Sequence, residues 1–255
     1  MHALYAFSRR ADDLVDNSQA IAERRLALKQ WRSQLDDAIA GQFSEPLLPA
    51  MADTVHRYSI PEQYLYDILD GVEMDLEPVQ FATFEQLREY CYRVASAVGL
   101  ACIHIWGFRE QSATTAAIDC GIAFQLTNII RDIHEDSARN RLYLPHEDLS
   151  RFGCTLEQLN TTGSMPAWTE LVQFEINRAE QYYRQGATLL HQLDRDGRRI
   201  FRLMMGTYWY LLNKLHRRAD DVCRQRISIG PIARFRVAVS TVFPWSAINR
   251  QLFAK

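Results

Sequence analysis

The sequence predicts an all-α fold, a single-domain helical bundle, and three observations carry that expectation. Apolar residues recur at helical spacing, strand-like alternation is nearly absent, and glycine is sparse, at 11 of 255 residues. The length suits one large domain with a sizeable buried core. No internal repeat, low-complexity stretch or domain-splitting linker interrupts residues 1–255, so they read as one domain. Typical helix and loop lengths then give roughly eight to ten helices.

Taken in order, the stretch from Ala20 to Ala40 is rich in Ala, Leu, Arg, Lys and Gln, all good helix formers. Pro46 and Pro49 punctuate the chain beyond it. Pro61 suits the first turn of a helix running toward Leu76, with Ser59 near its cap. Thr83 and Gln86 resemble a capping box and open a helix through Val98. Gln111 to Asp136 reads as a long helix with an apolar interior, and Ser137 to Gly153 as a loop with a short helical piece. Helices over Trp168 to Leu193 and Arg195 to Cys223 complete the set, and Pro231 and Pro244 bound a short C-terminal segment.

Composition excludes several function classes. The formal net charge of −2 offers no polyanion-binding signal, so no nucleic-acid partner is expected. Five scattered cysteines without a CxxC pair read as free thiols in a reducing, cytoplasmic compartment. The seven histidines show no HxxxH or HExxH spacing for zinc. Arg9, Arg10, Asp12 and Asp13 arrive before an apolar leader could form, so no signal peptide is expected. The longest apolar run, Val98 to Phe108, falls short of the ~20 residues of a spanning helix. The chain is therefore expected to be soluble, or at most to lie on a membrane surface. The stretch from Arg234 to Trp245 mixes cations and aromatics as an interfacial segment does, though a helix packed on the bundle would carry the same pattern.

Two acidic clusters carry the chemistry. In Arg9-Arg10-Ala11-Asp12-Asp13-Leu14-Val15-Asp16, Asp12 and Asp16 are four residues apart, about 40° around a helix. Like charges at that spacing repel, and a cation between them reverses the sign of that interaction. In Asn128-Ile129-Ile130-Arg131-Asp132-Ile133-His134-Glu135-Asp136, residues Asn128, Asp132 and Asp136 form a ladder that drifts only about 80°. The three isoleucines face elsewhere, toward a core, and His134 is expected to face solvent. A single acidic pair of this kind is commonly just a solvated helix face. Two such ladders of oxygen donors with arginines beside them suit metal-bound diphosphate. Mg²⁺ takes hard oxygen ligands, one or two of them carboxylates, and arginine clasps phosphate oxygens.

Beyond these clusters, Tyr5-Ala-Phe-Ser-Arg-Arg-Ala-Asp-Asp-Leu-Val-Asp16 resembles the first aspartate-rich motif of the squalene/phytoene synthase family. Phe124-Gln-Leu-Thr-Asn-Ile-Ile-Arg-Asp-Ile-His-Glu-Asp136 resembles the second. Arg139-Asn-Arg-Leu-Tyr-Leu-Pro145, Glu147-Asp-Leu149, Phe152-Gly153 and Tyr90-Cys-Tyr-Arg-Val-Ala-Ser-Ala-Val-Gly99 continue the likeness in order and spacing. The resemblance implies an isoprenoid-synthase helical bundle around a central apolar cavity. It implies metal ligands at Asp12, Asp16, Asn128, Asp132 and Asp136. Phosphate-binding roles fall to Arg9, Arg131, Tyr208 and Arg226, and Tyr5, Tyr92 and Gln125 line the site. Mg²⁺ is the implied cofactor, with Mn²⁺ as a substitute. The implied reaction ionises one prenyl diphosphate to an allylic cation, which the double bond of a second attacks to give a cyclopropylcarbinyl diphosphate. NADPH enters only where the reaction proceeds to squalene. Greasy substrates and products suggest peripheral contact with the inner face of a membrane.

Two farnesyl diphosphates would give presqualene diphosphate or squalene, and two geranylgeranyl diphosphates phytoene. Cavity depth decides between them, and Gly71-Val-Glu-Met-Asp-Leu76 with the compact length leans toward the hopanoid-type C15 reaction. The Arg139 to Gly153 stretch argues against a terpene cyclase, and intact ladders argue against a non-catalytic assembly-factor relative. The family's usual N-terminal helix and a substrate-covering segment are expected ahead of residue 1, so the chain is expected to lack them. Ser96-Ala97 stands where the family commonly has Gly-Thr, which bears on how closely two helices pack beside the cavity. Tyr90, Tyr182, Tyr183 and Trp209 are read as plain core.

Overall fold

The computed structural model describes residues 1–17, 19–160 and 165–230. The segment 234–245, with its interfacial pattern of cations and aromatics, lies outside the described residues, as do Pro231 and Pro244. Among the described residues no strand forms, and one isolated antiparallel bridge joins Phe108 to Leu193. No described helix is long and apolar enough to cross a membrane.

The N-terminal half consists of α1 (His2–Val15), α2 (Ile21–Ile39), α3 (Leu48–Tyr58) and α4 (Glu62–Met74). Leu4, Phe7, Ala11 and Val15 recur every three to four residues and are all buried. They pack on Leu28, Trp31 and Leu35 of α2, with Phe7 stacked on Trp31 at 5.5 Å. Burial of side chains of this size contributes roughly 1.5–3 kcal/mol each. That stripe fixes the rotation of α1 and turns Tyr5, Arg9, Asp12 and Asp16 away from the core. Ser59 does not cap α4 as expected. It closes α3 in the left-handed region at φ 49, and Pro61 itself precedes the first turn of α4.

Thr83 opens α5 (Phe84–Cys91) and accepts from the Gln86 amide at 3.5 Å, while the Gln86 side chain accepts from Ala82 N–H at 2.7 Å. This is the expected capping box with its return bond one residue early. The helix does not run straight to Val98. A π turn, Tyr92–Ser96, leads into α6 (Ala97–Trp106). Two glycines admit the wider turn. A Cβ at Gly71 of α4 would lie 3.0 Å from the Arg93 carbonyl carbon, and one at Gly121 would lie 2.4 Å from Ser96 Cα. Ser96 fits beside the cavity because residue 121 has no side chain, and its hydroxyl donates to Ile118 O at 2.8 Å.

The C-terminal half is built on α7 (Ser112–Ser137), which packs along α9 (Pro166–Gly186). Around them lie α8 (His146–Phe152), a 3₁₀ turn (Leu156–Asn160), α10 (Leu189–Gln192), α11 (Arg195–Arg217) and α12 (Ala219–Val222). Ile129, Ile130 and Ile133 are buried, as their spacing requires, and this aims the ladder residues the other way. Arg178 of α9 ties down α8, donating to Asp148 and Glu175 with its guanidinium 4.0 Å over Phe84. This braces the loop that leaves α7. Tyr64 and Trp106 pack against both halves of the interior.

Candidate active site

The first cluster ends α1. Asp16 is the residue that closes the helix, its backbone N–H bonded to Asp12 O at 2.9 Å. Asp12 is half-buried, and its pKa is raised by that burial first and by the Asp16 charge second. Arg9 does not reach Asp12. It pairs with Asp13 at 2.8 Å, since i,i+4 spacing lets an exposed guanidinium meet an exposed carboxylate. Tyr5 is 72% exposed, so the site-lining role expected of it has no wall around it in this structure.

The second cluster occupies the last turns of α7 and is more completely built. Arg131 Nε donates to Asp132 Oδ1 at 2.8 Å, and its Nη2 donates to Asp132 Oδ2. Arg226, on the segment after α12, reaches Asp132 Oδ1 at 3.1 Å and Glu135 Oε2 at 3.2 Å. Asp136 is pushed up to about 6, by burial first and the Asp132 charge second, against the pull of Arg139 and Arg141. Asn128 gives its amide N–H to Gln125 Oε1 at 3.4 Å, but its own Oδ1 is buried with no partner among the described residues. A buried carbonyl oxygen left bare costs about 1–3 kcal/mol, so this atom is poised to accept a ligand. His134 does not face solvent as expected. It is half-buried, with Nδ1 3.3 Å from Cys223 O, and so sits between α7 and the end of α12.

Arg131, Tyr208 and Arg226 line one cavity of about 580 Å³, together with Thr207, Leu211 and Ser228. Tyr208 is held flat on Phe124, centroids 4.5 Å apart. Phe124 also lines a second, smaller cavity of about 110 Å³ with Val98, Gly99, Ile103, Phe201 and Met204, an apolar chamber between α6, α7 and α11. Tyr92 is turned elsewhere, its hydroxyl donating to Asp67 Oδ2 of α4 at 2.8 Å.

Four groups that sequence reasoning passed over join the two clusters. Asp75, just after α4, accepts the Tyr90 hydroxyl at 2.9 Å. Its pKa is pushed up to about 6, chiefly by burial. Tyr90 and Arg141 pull it back, while Asp16 and Asp12 push it further. Arg141 acts on Asp136 as well. Tyr90 stacks on Tyr143 at 5.5 Å, and Tyr143 feels Asp75, Arg141 and Asp136. Charges at the end of α1 and at the end of α7 are thus linked through Asp75 and Arg141. Arg141 and Tyr143 had a sequence signal, since both lie in the Arg139 to Pro145 stretch. Asp75 lies in the Gly71 to Leu76 segment and Tyr90 opens the Tyr90 to Gly99 stretch, but neither pattern marks them as site residues. Tyr90, Tyr183 and Trp209 are buried as expected of core residues, whereas Tyr182 is only half-buried against that core.

The donors suit a hard divalent cation. All are oxygens, one is bare and buried, and the half-buried carboxylates repel each other, which a cation would relieve. No preformed group of three or more His, Cys, Asp or Glu able to hold a metal exists among the described residues.

Comparison with known proteins gives a consistent picture. The family model described as squalene/phytoene synthase matches residues 1–233. The chain is 33% identical to the 15-cis-phytoene synthase of Synechococcus elongatus over 93% of its length and 83% of that protein. It is 34% identical to the phytoene synthase of Arthrospira platensis, covering 93% and 84%. A dehydrosqualene synthase crystal structure superposes with a TM-score of 0.83 at 28% identity, covering 94% of this chain and 84% of that one. Squalene synthase HpnC from Alicyclobacillus acidocaldarius superposes with a TM-score of 0.80 at 26% identity, covering 85% and 82%.

Proposed function

The chain belongs to the squalene/phytoene synthase family of prenyltransferases, and on that premise we propose that it joins two geranylgeranyl diphosphates head to head, with Mg²⁺, to form phytoene. Condensation in this family uses a divalent metal. The observation that carries the reading is the pair of oxygen-donor clusters at the ends of α1 and α7, linked through Asp75 and Arg141. Arg131 and Arg226 of the second cluster line a cavity whose Tyr208 stacks on Phe124 of the apolar chamber.

In this reading Asp12, Asp16, Asn128, Asp132 and Asp136 hold the metal. Bound Mg²⁺ supplies positive charge that stabilises a departing diphosphate. Arg131 and Arg226 bind phosphate oxygens from the cavity they line, with Tyr208 beside them, and Arg9 approaches from α1. The breaking C–O bond leaves its electron pair on diphosphate, where guanidinium donors meet the largest charge that develops. The allylic cation is then attacked by the double bond of the second substrate, and loss of a proton closes the cyclopropane. Phytoene then requires the second diphosphate to leave with its C–O electron pair, the cyclopropylcarbinyl cation to rearrange, and a second proton to be lost. The chamber walled by Phe124, Ile103 and Phe201, about 110 Å³, must widen to take a C20 tail, and its apolar walls would then keep water from the cation. Gln125 holds Asn128 so that its free oxygen faces the ligand.

The C20 substrate is favoured by the relatives at 33–34% identity, both phytoene synthases. This departs from the C15 leaning of the sequence. A C15 reading, with farnesyl diphosphate giving presqualene diphosphate or squalene, is favoured by the likeness to the dehydrosqualene and squalene synthase structures. Purified protein is incubated with Mg²⁺ and either farnesyl or geranylgeranyl diphosphate, with and without NADPH, and products are identified by mass spectrometry. Phytoene from the C20 substrate supports the first reading. A C30 diphosphate, or squalene when NADPH is present, moves the chain to the second. No condensation product from either substrate overturns both.

A further inference from the structure

Asp132 is the carboxylate best placed to serve as a metal ligand, yet neither of its oxygens is free. Arg131 donates to both, and Arg226 Nε adds a second donor to Oδ1 at 3.1 Å. One turn earlier on the same face, Asn128 Oδ1 is buried and bare. The ladder thus holds one ligand ready and one occupied. The occupying group comes from outside α7: Arg226 sits on the segment after α12, is 44% exposed, and bridges Asp132 and Glu135. That segment is anchored nearby, where Lys214 Nζ donates to Ser228 O at 2.8 Å. Arg226 and Arg131 also line the 580 Å³ cavity, so a polyanion entering there meets the guanidinium groups that now hold Asp132.

We propose that Arg226 is a latch: it occupies Asp132 in place of a metal ion and releases it when a diphosphate group enters the neighbouring cavity. Metal and diphosphate then bind as a linked pair. The anion draws Arg226 off Asp132, which frees one acceptor site on Oδ1 for the cation while Arg131 keeps its hold, and the cation in turn favours the anion by the same factor. The latch rests on the reading of Asp132 as a metal ligand. It goes further in making an arginine compete with metal before substrate arrives.

The test titrates Mn²⁺, a spin-active stand-in for Mg²⁺, into the full chain with and without inorganic pyrophosphate, and counts the free ion by electron paramagnetic resonance. The wild type binds Mn²⁺ weakly alone and more tightly with pyrophosphate. Arg226→Gln tightens binding of Mn²⁺ alone by about two- to fivefold, the factor expected for loss of a half-exposed ion pair, and the gain from pyrophosphate shrinks. Arg226→Lys keeps the charge but lacks the planar fork that spans Asp132 and Glu135, so it gives an intermediate tightening. Unchanged or weaker Mn²⁺ binding in Arg226→Gln, with a normal circular dichroism spectrum, overturns the latch. So does a wild-type affinity in Arg226→Lys, which would reduce the effect to a general positive field. Asp132→Asn separates the two levels. If it binds Mn²⁺ like the wild type, the metal-site reading fails. If it loses Mn²⁺ while Arg226→Gln does not gain, the site stands and the latch falls.

Discussion

The ends of α1 and α7 carry similar chemistry in different states of readiness. On α1 the carboxylates sit at a helix terminus, Asp16 and Tyr5 are exposed, and Arg9 is engaged with Asp13. On α7 the ladder lies on continuous helix, backed by three buried isoleucines and charge-compensated by Arg131 and Arg226. The α7 helix and its ladder are in place before a charged ligand arrives, and only the Arg226 side chain has to move. An open helix end adapts to that ligand once it is present. The comparison assigns preorganisation to α7 and adjustment to α1.

The largest expected difference is catalytic. Asp132→Asn is expected to lower Mg²⁺-dependent turnover by about 10³-fold and Asp12→Asn by about 10²-fold, the span seen when one preorganised electrostatic group is removed. Steady-state rates check this, with unchanged helical circular dichroism as the control. Equal losses, or a larger one at Asp12, would reverse the assignment. Next comes the backing. Ile130→Ala is expected to cost about 2–5 kcal/mol, while Val15→Ala, losing fewer atoms behind the first cluster, costs about 1–2 kcal/mol. Urea unfolding of the two variants reads the difference.

A pH series gives a smaller effect of defined sign. Asp136 and Asp75 both have folded-state values near 6, above the ordinary 3.8. A raised carboxyl pKa means the folded chain holds its proton more tightly than the unfolded chain. The favourable contribution of each is therefore complete below 3.8 and is lost as pH rises through about 6. Thermal melts of the metal-free protein should show that loss, and Asp136→Asn should flatten it. An unchanged slope would mean the second ladder is less strained than its geometry indicates. The smallest effect belongs to α1: Arg9→Ala breaks an exposed pair and is expected to shift stability by less than about 1 kcal/mol in the same melts.

Most of the helical framework was legible because periodicity reports which face is buried. Leu4, Phe7, Ala11 and Val15 set α1, and Ile129, Ile130 and Ile133 set the end of α7. The site was legible where its residues recur on one stripe, as in the Asn128–Asp132–Asp136 ladder. It was not legible where proximity is tertiary. Asp75 lies at the end of α4, and nothing local to it announces Tyr90 or Arg141. Arg9 looked like a neighbour of Asp12, but i+3 and i+4 compete on a helix, and the exposed i+4 partner Asp13 won. His134 looked solvent-facing from its place between ladder positions, yet α12 returns to cover it.

The π turn at Tyr92–Ser96 has an evolutionary consequence. Such a turn holds one residue more than the α-helical turn it replaces, as a single-codon insertion leaves behind. Deleting one residue there would restore ideal helix and rotate α5 by about 100° relative to α6. Tyr90 would swing away from Asp75, and the Phe84 N–H away from Glu147 Oε1, although every side chain named at both ladders remained in place. In this stretch chain length is a constraint of its own, so deleting one residue is expected to do more harm than a conservative substitution there.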